Sequence, residues 1–231
     1  MPIIQPRVRV LYGLVLIPSL TVAVLMATLY FVVLPLAPWV QQYYFTQQAQ
    51  TFATYQVPLL GHIGFGAIAL ALGSINLIHA LRQRAVRAHP VVGRCYAVAV
   101  AISAPCAVFM AFHAYPGTVP GGQIIVTSGL CTLALLWLAT LAMAIRAIAL
   151  NHDVAGHRFW IIVNFSLTFA AVVFRVENSL ILATGTFDTL YPFLGWASWV
   201  PNIMVGVWLA RRLNRARVPK ALSGPRPATV Q

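Results

Sequence analysis

The chain has 231 residues, of which 60% are hydrophobic and 8% charged, with a formal net charge of +12 and a mean hydropathy of +0.83. Soluble domains carry roughly 25% charged residues, so a soluble enzyme is excluded. A nucleic-acid binder is excluded by placement: the Lys and Arg residues lie at the ends of apolar runs, in loops and in the tails, Arg175 excepted. The expectation is an all-α bundle of six transmembrane helices in a lipid bilayer, the inner (plasma) membrane of the cell.

The apolar runs fall at about residues 11–34, 59–80, 92–113, 123–146, 159–183 and 191–210, each close to the ~20 residues a membrane helix needs. The first is too long for the apolar core of a cleaved signal peptide, and no small-residue cleavage pattern follows. Basic residues cluster before the first run (Arg7, Arg9), between the second and third (Arg82, Arg84, Arg87, Arg94), between the fourth and fifth (Arg146, Arg158), and after the sixth (Arg211, Arg212, Arg215, Arg217, Lys220, Arg226). By the positive-inside rule both termini are expected in the cytoplasm. Residues 1–10 form a short N-terminus, 11–210 the membrane domain, and 211–231 a basic tail whose polar, Pro-containing composition predicts disorder.

Taken in order, the first outer loop is uncharged and carries Trp39, Tyr43, Tyr44, Phe45 and Phe52. These read as an interfacial aromatic belt or as a lid over an outward pocket. In the second run His62, Gly66, Ala69, Gly73 and Asn76 share a face, and small residues at that spacing let helices approach closely. His79 follows one turn on. In the third run Cys106 and His113 share a face, and Pro105 is a kink candidate. Cys95, Cys106 and Cys131 lie far apart in apolar segments and are expected to be free, buried thiols. The fourth run has no His or acid. The sixth carries Trp196, Trp199, Pro201 and Asn202.

The fifth run is the one around which the rest is expected to pack. At 100° per residue His157, Asn164, Thr168, Arg175 and Asn178 fall on one side of it, with Glu177 nearly opposite. Polar groups in a span are costly and face a bundle interior or a wet cavity. The hairpin of the second and third runs and that of the fourth and fifth share a pattern, read as a weak internal repeat or as the common look of positive-inside loops: a helix ending in Arg, then a short basic loop closing with His before the next helix.

Several residues also carry a family resemblance. His62, the set His89, Gly93, Arg94 and Tyr96, the set His157, Arg158 and Trp160, Arg175, and the run Trp199-Val200-Pro201-Asn202 together resemble a family of predicted bacterial membrane proteins known as a domain of unknown function. The likeness covers roughly residues 58–210. It departs at Pro90, where the family tends to have Arg, and at Ile161 and Val163, where it tends to have Met and Arg. The resemblance implies a helical membrane bundle and no particular activity.

Two constellations carry candidate chemistry. The outer one is His62, His113, Arg175 and Glu177, since Arg175 lies about 16 residues, roughly 24 Å, into its span. Two imidazoles and the Glu177 carboxylate are metal-ligand types, and paired imidazoles (His62 with His113, or His79 with His157) could hold a haem b iron for electron transfer. Arg175 would then meet a propionate or an anionic substrate. The inner constellation is His79, His89, His152, His157, Arg94 and Arg158, read as a second haem or quinone headgroup site or as loop residues at lipid phosphates. Two other classes stay open: an enzyme acting on a lipophilic substrate with His62 and Glu177 as base and acid, and a proton-coupled transporter gated by Arg175 and Glu177. A homo-oligomer, in which Arg175 pairs with Glu177 of a neighbouring copy, is a further expectation.

Overall fold

The computed structural model describes residues 6–37, 39, 49–82 and 88–215, with side chains for all of these except 6–12, 49–50, 52 and 78–82. Over those residues the chain is helical without strands. Tyr43, Tyr44, Phe45, Arg84, Arg87 and the tail beyond Arg215 lie outside the described residues.

Six helical segments are long and apolar enough to cross a membrane: Gly13–Leu36, Gln56–Leu77, His89–Ala111, Gly122–Ala149, Val154–Ala183 and Phe187–Arg215. They match the hydropathy runs to within a few residues. The helices are α1 (Pro6–Thr28), the short α2 (Ala49–Thr54), α3 (Gln56–Arg82), α4 (His89–Ala111), α5 (Gly122–Ala149), α6 (Val154–Ala183), α7 (Phe187–Ala197) and α8 (Val200–Arg215).

Two spans are irregular, each beside a proline. The first continues from α1 through a π-turn at Leu29–Val33 into a last turn, Leu34–Leu36. Pro35 has no N–H to offer the preceding turn, and the Leu34 N–H bonds the Leu29 carbonyl instead. The sixth span breaks at Ser198 and Trp199, between α7 and α8. Pro201 cannot close the turn there. Side chains take over part of the bonding: Trp199 Nε1 donates to the Gly195 carbonyl at 2.7 Å, and Asn202 Nδ2 donates to the Ser198 carbonyl at 3.0 Å. By contrast α4 runs helical through Pro105.

Helix α6 is the centre of the bundle, packing against α1, α3, α5, α7 and α8. Its start is fixed by Asp153, whose carboxylate accepts the Gly156 N–H at 2.9 Å. The main core joins Ala69, Tyr96, Val100, Trp137, Leu141, Phe165, Leu167 and Trp199. Small residues set the helix spacing, as the second run predicts. A Cβ on Gly73 would lie 2.6 Å from Phe165 and 2.7 Å from Tyr96. A Cβ on Gly129 would lie 2.5 Å from the Gly195 backbone, so α5 and α7 touch there main chain to main chain. The three cysteines are free, as expected, but none is buried: Cys95 is exposed and Cys106 and Cys131 are half-buried.

Candidate functional site

The polar stripe of α6 resolves into two parts. Its middle is a buried network. Asn164, at 0% exposure, accepts the Tyr96 hydroxyl at Oδ1. Its Nδ2 donates to the Trp137 carbonyl at 2.7 Å and to Thr140 Oγ1 at 2.8 Å. Thr168 Oγ1 accepts Trp137 Nε1 at 2.9 Å and lies 2.7 Å from the Tyr96 hydroxyl. Every polar atom of the Asn164 side chain is used, so this part ties α4, α5 and α6 together.

Further along α6, towards the end of the bundle away from the basic loops, a cavity of about 270 Å³ opens. Its floor includes Thr168 and Trp137. Its walls are largely apolar, with Met26, Tyr30, Ile63, Leu133, Phe174 and Tyr191 among them. Besides the Tyr30 and Tyr191 hydroxyls, its polar residues include His62 from α3, Thr51 from α2, His113 just past α4, Arg175 from α6, and Ser198 from the break in the sixth span. Thus the structure brings His62, His113 and Arg175 to one cavity, across three helices.

Each of these groups is positioned differently. The His62 ring is held by Ser103, with Nδ1 at 3.1 Å from its Oγ and 3.3 Å from its carbonyl. His113 Nδ1 donates to the Phe109 carbonyl at 3.0 Å, and its ring lies between Tyr55, at 4.1 Å between centroids, and Phe109, at 4.7 Å. Thr51 on the cavity wall and Tyr55 on His113 place α2 and the start of α3 over one side of the cavity. Arg175 donates Nε to the Met26 thioether at 3.0 Å and lies 5.5 Å from the Phe174 ring centroid. Among the described residues it has no carboxylate partner. The Ser198 hydroxyl, at 0% exposure, has no hydrogen-bond partner there either.

Glu177 does not line the cavity. It lies on the face away from Arg175, as the helix wheel requires, and its Oε2 is buried without a partner among the described residues. The trio of His62, His113 and Glu177 is therefore not assembled, and no group of three or more His, Cys, Asp or Glu side chains that could hold a metal ion forms among the described residues. The acid–base pairing of His62 with Glu177 is not assembled either.

The inner constellation separates into helix-end ties. His89 Nδ1 lies 2.7 Å from Asn76 Oδ1, and His157 Nδ1 donates to the Ala144 carbonyl at 2.8 Å. Each His thus reaches back 13 residues to the preceding helix, a contact the two similar hairpins share. Arg158 Nε donates to Asn214 Oδ1 at 2.7 Å, joining α6 to α8. His152 and Arg94 are exposed. The side chain of His79 is outside the described ones.

Sequence reasoning overlooked Ser103, Trp137, Ser198 and Asp188. Asp188 secures the loop after α4: Tyr115 donates to its carboxylate at 2.7 Å, and the Thr118 N–H to its carbonyl at 2.8 Å. An acid four residues before Pro192 at a span end was a readable turn signal, whereas Trp137 and Ser103 look like any aromatic or small residue in an apolar run.

Comparison with curated proteins and with solved structures finds no match. A family model described as "Predicted membrane protein (DUF2306)" matches residues 59–210. That match takes in α4–α7, nearly all of α3 and most of α8, with His62, His113, Arg175 and Ser198 all inside it. The chain belongs to this family of predicted membrane proteins of unknown function.

Proposed function

We propose that the protein binds a lipophilic small molecule inside the membrane, with an oxygen-bearing polar head against Arg175 and its apolar part along the cavity wall. The observation that carries this is Arg175 itself. A guanidinium in a span costs about 2.5–3.5 kcal/mol on insertion scales, and here its group meets a thioether and lies over an aromatic ring. A ligand oxygen supplies the partner that the described residues do not. The walls suit such a molecule, since ligand pockets are mostly apolar with a few convergent polar groups.

Haem b fits less well. The two imidazoles share the cavity, but its volume of about 270 Å³ lies below the roughly 300–1,000 Å³ of pockets that enclose drug-sized ligands. A tetrapyrrole exceeds that space. Electron transfer through haem is therefore the less supported reading. Turnover of a bound lipophile, with His62 as a base, and its passage across the bilayer both begin with the binding proposed here.

Two measurements on detergent-purified protein test the proposal. The absorption spectrum, oxidised and then dithionite-reduced, is expected to show no Soret band. Organic extraction followed by mass spectrometry is expected to recover a lipophile in near-stoichiometric amount, lost from Arg175→Gln while helical circular dichroism is kept. A Soret band that disappears in His62→Ala, or a lipophile retained by Arg175→Gln, overturns the reading.

A further inference from the structure

The hydrogen positions in the cavity can be deduced from its bonds. The Ser103 hydroxyl donates its single hydrogen to the His62 carbonyl at 2.8 Å. Towards the His62 ring, both Oγ and the Ser103 carbonyl can therefore only accept. His62 Nδ1, 3.1 Å and 3.3 Å from them, must carry the hydrogen. His113 Nδ1 faces the Phe109 carbonyl and must carry one too. When such a ring is neutral its Nε2 is a lone-pair acceptor, and neither Nε2 has a partner among the described residues. The cavity thus offers donors from Arg175 and acceptors from His62 and His113.

This mixture discriminates between heads. A carboxylate, or a quinone carbonyl, accepts from Arg175 but has no hydrogen for the imidazoles. A hydroxyl does both, because one oxygen accepts from the guanidinium and donates to Nε2. A site with buried acceptors rejects analogues that lack the matching hydrogen, since the acceptors are then left dry and unpaired. The wall supplies flat partners in Trp137, Phe174 and Tyr191, which favour a ring, and the volume suits one compact head.

We propose that the ligand head is an aryl hydroxyl, a phenol or hydroquinone ring bearing an alkyl chain, with its hydroxyl held between Arg175 and the Nε2 atom of His62 or of His113. This rests on the preceding assignment of a lipophile to Arg175 and adds the chemistry of its head.

The test uses the full chain in lipid nanodiscs and tryptophan quenching with four probes: a decyl-substituted hydroquinone kept reduced under argon, the same ring with both hydroxyls methylated, the corresponding quinone, and dodecanoate. The hydroquinone is expected to bind about tenfold tighter than its dimethyl ether or the quinone. The gap is expected to close in the double variant His62→Phe with His113→Phe, and all specific binding to vanish in Arg175→Gln. Because the comparison of probes is made on the wild-type chain, it stands even if a variant fails to fold. Equal binding of the three rings, or tightest binding of dodecanoate, each still requiring Arg175, overturns the hydroxyl assignment and leaves the lipophile reading in place. Binding of every probe that ignores Arg175 overturns both.

Discussion

Tyr96→Phe isolates the buried network, because it deletes one hydroxyl and changes little volume. In the native chain the Tyr96 hydrogen goes to Asn164 Oδ1. The amide cannot turn to compensate, since Nδ2 is already committed to the Trp137 carbonyl and Thr140 Oγ1. With Asn164 at 0% exposure, water does not replace the lost donor. A buried acceptor left dry costs about 1–3 kcal/mol, whereas hydrogen bonds between membrane helices average about 0.6 kcal/mol in mutant cycles. The saturated amide argues for the upper part of that span, and we expect a loss of about 1–2 kcal/mol. The assay is reversible unfolding by sodium dodecyl sulfate in mixed micelles, completed as a cycle with Asn164→Leu. The coupling energy is expected to be most of the single-mutant loss. A loss below about 0.3 kcal/mol, or a cycle in which the two changes simply add, refutes the claim that this network ties three helices.

Gly206→Ala places a Cβ 2.7 Å from Ser166 Cβ, forcing α8 off α6. Overpacking of this kind costs about 1–3 kcal/mol, read as a lower midpoint in the same assay; an unchanged midpoint contradicts the close approach. Ser198→Ala removes a buried hydroxyl that has no partner among the described residues. Stability is expected to hold or to rise by up to about 1 kcal/mol; a clear loss of stability contradicts the unpaired state. Outside the membrane, the hydrogen bond to Asp188, helped by burial and by the Asp188 charge, raises the Tyr115 phenol above its ordinary value of 10.0. The native state holds that proton longer than the unfolded chain, so the contribution is complete below about pH 10 and is lost as pH rises through the native value. Thermal unfolding measured from neutral to alkaline pH is expected to fall less steeply at the alkaline end for Tyr115→Phe than for the wild type, and equal slopes contradict the contact.

The legible parts of the molecule are those carried by period and composition. Length and hydropathy place all six spans, because a bilayer imposes one length on every apolar helix. The 100° wheel puts Asn164, Thr168 and Arg175 on one side of α6 and Glu177 on the other, which is where the structure has them. It also explains why Glu177 cannot join His62 and His113. What a wheel lacks is the partner across the gap. Trp137 and Tyr96 are amphipathic side chains whose polar atoms show only when another helix meets them, so half of the network looked apolar. The break at Ser198 had a local signal in Pro201, yet a proline is also tolerated inside α4 at Pro105. The difference lies in the side-chain bonds of Trp199 and Asn202, which depend on tertiary placement.

The position of α6 in the chain has a consequence for assembly. Asn164 is separated from its partner Tyr96 by 68 residues, which take roughly 3–14 s to synthesise at ribosomal speed. During that interval the third span is completed and the fourth is made without their central member. Tyr96 must then find water, a lipid carbonyl or a chaperone for its hydroxyl. A ribosome stalled before Asn164 would leave a nascent chain without the helix that closes the bundle, a natural point for a quality-control protease to act.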